Sequence, residues 1–404
     1  MEENENKALI KVTSPVLPVA TEKPEGYFGA VARRYRNVFR VLLITLVLFA
    51  VLFVLFFSRA FTYDSLYYFV KDLSGIAAAV SADCDEVSYA YHEGNSSFGL
   101  YQGGIVRVST AGVEIFRSDG ERALYAELTL KEPRLALSRR YVIAYDFGGT
   151  DFYVYNSYDE LYHGETDAPI LGITVSDSGA FAVLTPSEKA LSSVLYYDSG
   201  FALTQRFERG SATLDMALSE NGEKIAFLGL GTDGGLLDVY EIGGREPTAT
   251  VSLSVGLPET VLFLTSKNIA VVGENGALVL QTDGKTLENI SFGGKSPVLV
   301  AGDEHGFAVT LCEKNMPTST GVLLLDKKGD VLFSKEFDCA VSGLALSGKT
   351  LFVLSGEKIQ SFSSKGEELG SISCAEGTEK IFAVSGTRVA AVRRNITAFY
   401  VVTE

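Results

Sequence analysis

GVLLLDKKGDVLFSKEF, residues 321–337, decides how the rest of the chain is read. Apolar side chains fill Val322 to Leu325, Asp326 and Gly329 frame a short turn, and a second run then mixes apolar with polar positions. This is the pattern of a β-hairpin, with a strand-length apolar run and turn residues that tolerate unusual backbone angles. It recurs as GVEIFRSDGERALYAEL (112–128), DFYVYNSYDELYHGE (151–165), SVLYYDSGFALTQRF (193–207), LLDVYEIGGREPTATV (236–251), ALVLQTDGKTLENISF (277–292) and KIQSFSSKGEELGSIS (358–373). NITAFYVV (395–402) is a partial eighth copy at the end of the chain.

Another hairpin precedes these copies, as in ILGITVSDSGAFAVLT (170–185), LDMALSENGEKIAFLG (214–229), SGLALSGKTLFVLS (342–355) and KIFAVSGTRVAAVR (380–393). Four-stranded units therefore begin near residues 98, 133, 169, 212, 257, 295, 338 and 375. A period of roughly 35–45 residues with four strands each is that of β-propeller blades. A lone four-stranded sheet exposes two apolar faces. Packing blades around an axis buries both, and the ring must then close. The last copy lacks one strand, while VSYAY (87–91) stands alone before the first copy. If 87–91 completes the last blade, the ring has eight blades; if 98–132 and 375–404 share a blade, it has seven. The expected fold is all-β, a propeller of eight four-stranded blades preceded by one transmembrane helix.

The topology also orients the ring. The outer strand of a blade starts at the end that carries the first–second and third–fourth strand turns, so a tether enters there. The opposite end is expected to point away from the bilayer. Its longest loops read as TPSEKALSS (185–193), LGTDGGL (230–236) and CEKNMPTSTG (312–321). Function on repeat scaffolds concentrates in such loops. They supply the candidate binding residues Lys189, Asp233, Lys314 and Asn315.

Val41–Phe57 (VLLITLVLFAVLFVLFF) is uncharged over its whole length. With its flanks it is long enough to cross a ~30 Å hydrocarbon core as a helix. Lys23, Arg33, Arg34, Arg36 and Arg40 precede it, and only Arg59 and Lys71 follow closely. That basic excess places the N-terminus in the cytoplasm. Ser58-Arg59-Ala60 keeps a cleaved signal peptide open as the rival reading. The expected organisation is a cytoplasmic tail at 1–37, a transmembrane helix at 38–59, a juxtamembrane stalk helix or linker at 60–83, and an extracytoplasmic propeller at 84–404. In the stalk, Leu66, Phe69, Val70, Leu73, Ile76, Ala77 and Val80 recur at helical spacing.

Charge narrows the partners. The formal net charge is −15. Residues 1–40 hold seven basic and five acidic groups, a sum of +2, so the remainder carries −17. A surface that acidic repels phosphate backbones, and no nucleic-acid partner is expected. Cys84, Cys312, Cys339 and Cys374 form no C-x-x-C pair, and free thiols are expected.

Chemistry is sparse. Gly229 to Gly234 spells G-x-G-x-x-G, but it joins two strands rather than opening a helix, so it reads as a hairpin loop. His92, His163 and His305 are the only histidines, and none has a second His at metal-ligand spacing. No G-x-S-x-G occurs. Asp146 and Asp151 flank a glycine turn that lacks the spacing of a calcium loop. Tyr141, Tyr145, Phe147, Phe152, Tyr153, Tyr155, Tyr158 and Tyr162 crowd the second unit, either as inter-blade packing or as a stacking surface. Asn95, Asn289 and Asn395 head N-glycosylation-type tripeptides. No catalytic residue, metal or cofactor is expected.

The third-strand-plus-turn rhythm resembles the "vYD-x-x-G-x-x-L" signature of quinoprotein-like and WD40-like repeats. DSLYYFVKDL (64–73), placed between an apolar helix and the repeats, is similar to a bacterial family of single-pass, membrane-anchored propellers. The chain has no Trp, so the blade-docking Trp of quinoprotein-like repeats and the WD dipeptide are missing. The resemblance implies a propeller on a plasma-membrane anchor of one helix. The repeat, the single anchor and the missing chemistry together lead to the expectation of a non-enzymatic binding or scaffold module for an envelope protein or polymer. The alternatives are an extracytoplasmic enzyme acting on glycan or peptide, and a ligand sensor signalling through the anchor.

Overall fold

The computed structural model describes residues 35, 37–49, 85–90, 94–232, 234–314, 316 and 318–402. Among them, thirty-two strands form eight antiparallel sheets of four strands each. The first strands of the eight blades are Ser96–Tyr101, Pro133–Leu137, Gly172–Val175, Ala212–Leu218, Pro258–Phe263, Ser296–Asp303, Val341–Ser347 and Lys380–Ala383. These starts fall within about five residues of the expected unit boundaries.

Burial shows why the blades must form a ring. Second and third strands are buried on both sides, as in Thr350–Ser355 and Ser192–Tyr197, where every residue is buried. Fourth strands mix exposed and half-buried residues, as in Glu368–Ser373. The middle of each sheet therefore meets a neighbouring blade on each face, and its fourth strand meets solvent. First strands touch the first strands of adjacent blades and line the axis. The buried apolar side chains fall into eight clusters, each shared by two adjacent blades. An open row of eight blades has only seven interfaces. The eighth cluster joins blade 8 to blade 1 through Val87, Ile105, Phe116, Ala390 and Phe399.

The closing strand is Glu86–Ser88, which pairs antiparallel with Ile396–Val401 of the last blade. Val87 lies opposite Thr397, and Tyr89 donates its hydroxyl to Thr397 Oγ1 at 2.6 Å. The expected closure is present, and the count is eight rather than seven.

The recurrent signature has a mechanical basis. In six blades the ladder slips by one residue where the third strand ends, for example between Leu324 and Leu325. A side chain then holds the turn. Asp326 Oδ1 accepts the N–H groups of Lys328 and Asp330, and Asp198 Oδ1 accepts those of Gly200 and Ala202. Gly329 supplies the left-handed angle, with φ of 98°.

At the N-terminus, Tyr35 and residues 37–49 are helical, and the described side chains there are exposed. Among the described residues, no helix is long and apolar enough to cross a membrane. The second half of the expected span, Cys84, His92 and the expected stalk at 60–83 lie outside the described residues.

LGTDGGL is not a long loop: strands Lys224–Gly231 and Gly234–Glu241 run almost to its tip, with Gly231 paired to Gly234. Glycine is common in loops, yet the ladder uses only backbone groups and accepts it. The aromatics of the second blade are mostly packing. Phe152 meets Phe181 at 5.5 Å across the interface with blade 3, and within blade 3 Phe181 stacks on Tyr197 at 4.6 Å.

Candidate functional site

In each blade the turn joining the first and second strands lies next to the axis. At this end of the ring these turns surround a cavity of about 970 Å³, lined by residues of seven blades. Its wall is apolar where first strands face the axis, at Leu100, Leu137, Val175, Phe263 and Val384. Its rim is charged because hairpin tips favour polar residues. The rim holds Arg139, Asp177, Glu220, Asp303, Glu304 and Arg388.

Arg139 organises the rim. Its guanidinium reaches Asp177 at 3.3 Å, Glu220 at 3.5 Å and Glu304 at 3.3 Å. These carboxylates belong to blades 3, 4 and 6, so a side chain of blade 2 spans the mouth to the opposite side of the ring. Partial burial works to lower the Arg139 pKa. Asp177, Glu304 and Glu220 outweigh it and hold the group above its ordinary value. The Arg139 side chain nevertheless remains 66% exposed.

Two aspartates fix the turns themselves. Asp177 Oδ1 accepts the backbone N–H of Arg139 at 2.7 Å, linking blade 3 to blade 2. Asp303 Oδ2 accepts the N–H of Gly348 at 2.7 Å, linking blade 6 to blade 7, while its Oδ1 accepts the N–H of His305. Glu220 and Glu304 are exposed and project into the mouth. His305 lies beside the rim, its Nδ1 at 3.8 Å from Asp303 and 4.0 Å from Glu304.

The candidate residues from the sequence lie at the other end. Lys189 is exposed in the second–third strand loop of blade 3 and borders a separate cavity of about 290 Å³ with Arg206 and Glu208. Lys314 is exposed in the corresponding loop of blade 6. Neither lines the axial cavity, and Asp233 and Asn315 lie outside the described residues. That end has its own character. Leu171, Leu214, Leu257 and Val298, at the beginnings of inner strands, are exposed, and so are Phe147, Leu191 and Met316 on its loops.

Sequence reasoning missed Arg139 and Glu304. The available signal was a charged residue at one repeat position, the first–second turn, in Arg139, Asp177, Glu220 and Glu304. The short turns drew no attention beside longer loops.

The other motifs are structural. Asp146 Oδ1 accepts the N–H groups of Lys131 and Glu132 and so fixes the connection into its own blade. His163 stacks on Tyr153 at 4.3 Å and contacts Asp151 at 3.2 Å on an outer strand. Cys312, Cys339 and Cys374 are free thiols. Among the described residues, no group of three or more His, Cys, Asp or Glu is placed to hold a metal ion.

Residues 84–399 match a family described as "Family of unknown function (DUF5711)". No curated protein matches the chain. Solved structures give the fold alone. The computationally designed Ika8 protein aligns at 12% identity and a TM-score of 0.61, covering 79% of this chain and all of that one. The C-terminal WD40 domain of Sif2 aligns at 12% identity and 0.57, covering 79% of this chain and 99% of that one. BamB from Moraxella catarrhalis aligns at 11% identity and 0.56, with the same two coverages.

Proposed function

The chain belongs to the DUF5711 family, and we propose that it is a membrane-anchored, extracytoplasmic binding module for an envelope protein or polymer. One observation carries the reading: an axial cavity of about 970 Å³ rimmed by turns of seven blades. That volume lies at the upper end of the range for ligand pockets, and convergent polar groups over an apolar wall are their usual lining. A rigid ring suits such a role, because it presents many turns on one surface without having to order them on binding. The exposed apolar side chains at the opposite end give a second surface that a larger partner would cover. The anchor is Val41–Phe57, with the basic residues before it held in the cytoplasm.

Two measurements test this reading. A variant retaining only Cys339, an exposed thiol, is treated in intact cells with a membrane-impermeant maleimide. Labelling is expected, and labelling only after lysis would overturn the extracytoplasmic placement. A photo-crosslinking residue at Glu220 is expected to capture a discrete envelope component, whereas one at Leu369 on an outer strand is not. Equal capture at both positions would sink the axial assignment.

A second reading, an enzyme acting on glycan or peptide, is favoured by His305 beside Asp303 and Glu304. Hydrolysis by the purified full chain that His305→Ala abolishes would establish it; hydrolysis unaffected by that change would remove it.

A further inference from the structure

We infer that the axial mouth recognises a cationic peptide segment, and that Arg139 is an internal occupant of the site which an incoming Arg or Lys side chain displaces. This rests on the binding-module reading above and names the ligand class of that same cavity.

Charge sets the first preference of the site. Four carboxylates line the cavity against two guanidinium groups, Arg139 and Arg388. Asp177 and Asp303 already accept backbone N–H groups that hold the turns in place. Glu220 and Glu304 are not committed in this way. Their contacts with Arg139 are 3.5 and 3.3 Å, longer than the ~2.7–2.9 Å of a strong charge-assisted hydrogen bond. One guanidinium is divided among three carboxylates and satisfies none of them fully. Ion pairs this exposed contribute little, so exchanging Arg139 for another cation costs little.

The wall selects what carries the cation. Below the rim, Leu100, Leu137, Val175, Phe263 and Val384 offer apolar surface. A Lys or Arg presents an apolar stem beneath its charge, and an apolar neighbour in a peptide would fill the rest of the space. A small inorganic cation would leave that wall unused. An anionic ligand would meet the carboxylates directly.

The test uses the full chain in detergent and the fluorescently labelled peptide acetyl-Leu-Arg-Leu-Arg-amide, with acetyl-Leu-Glu-Leu-Glu-amide as control. The basic peptide is expected to bind and the acidic one not. Glu220→Gln with Glu304→Gln should weaken binding several-fold. Arg139→Gln should strengthen it several-fold, because the internal competitor is gone. All three side chains are exposed, and unchanged thermal unfolding verifies the fold of each variant. Weakened or unchanged binding by Arg139→Gln overturns the displacement mechanism. Equal binding of both peptides, or of neither, overturns the cationic specificity. If the basic peptide fails while crosslinking at Glu220 still captures an envelope component, this inference falls and the binding-module reading stands; if both fail, both fall.

Discussion

Arg107 is fully buried, and its guanidinium faces Glu114 at 3.2 Å. It also donates to the carbonyl of Ala90 at 2.7 Å and lies over the Tyr89 ring. Blade 1 is thereby bolted to the residues that follow the closing strand. Removing one partner of a buried pair leaves an uncompensated charge, which costs about 3–5 kcal/mol. Glu114→Ala should lower urea stability by that amount. Arg107→Met combined with Glu114→Leu should recover most of the loss, and a double-mutant cycle reads the difference. A loss below about 1 kcal/mol for Glu114→Ala would mean that water reaches the pair. Tyr196 gives a pH signature at the same scale. Its hydroxyl donates to the Gly222 carbonyl at 2.9 Å, and burial, reinforced by Asp198 and Glu223, pushes its pKa up to about 12. In the unfolded chain the phenol ionises near pH 10. The folded state therefore holds the proton longer. The stability this group contributes is complete below pH 10 and is lost as pH rises towards 12, by at most about 1.4 kcal/mol per pH unit. Tyr196→Phe should flatten part of that alkaline decline while costing about 1 kcal/mol at neutral pH. An unchanged slope in urea titrations from pH 9 to 12 would contradict it. Single residues of this kind were the least legible in the sequence. Arg139 and Glu304 lie 165 positions apart, and only ring geometry brings them together.

Elements were far more legible. Blade boundaries followed from a hairpin pattern repeated at fixed spacing, because a strand buried on both sides must be apolar and its turn must carry Asp or Gly. The closing strand was inferred from a shortage of one strand at one end of the chain and an orphan at the other. Loop lengths were less legible. In LGTDGGL the glycines marked the tip of an extended hairpin, and composition alone does not separate the two cases. The cavity was hidden for a related reason: its lining comes from first–second strand turns of ordinary length, whose importance arises from their nearness to the axis. The closing strand allows a test at this scale. Val87 is 3% exposed and faces Thr397, which is fully buried. Val87→Asp places an unpaired carboxylate in the seam and should cost about 3–5 kcal/mol. Val331→Asp, at an exposed position on the outer strand of blade 6, should change stability by less than about 0.5 kcal/mol. Comparable losses at both sites would show that the seam is not a packed interface.

At the scale of the whole molecule, closure makes the blades interdependent. In an open repeat array, stability is close to a sum of units and nearest-neighbour terms, and end units fray. Here each blade has two partners, and the last interface depends on six described residues, 85–90, that come from the other end of the chain. The strand Ile396–Val401 ends at the third–fourth turn end of its blade, where Glu86–Ser88 begins, with Glu86 opposite Ala398. A short Gly-containing turn, like those of the other blades, could therefore join Val402 to Asp85. A permuted chain running from 94 to 402, through such a turn, and then through 85–90 would keep every blade contact while cutting the original connection. Its melting temperature should lie within about 4 °C of that of residues 85–402, since only the connection changes. Deleting 85–90 from either chain removes the burial of Val87 and Tyr89, at about 2 kcal/mol each, and bares a strand edge. That should lower the melting temperature by roughly 10 °C. If the permuted chain melted as low as the deletion, the connection through residues 91–93 would be holding the ring, and the pairing with Ile396–Val401 would be incidental.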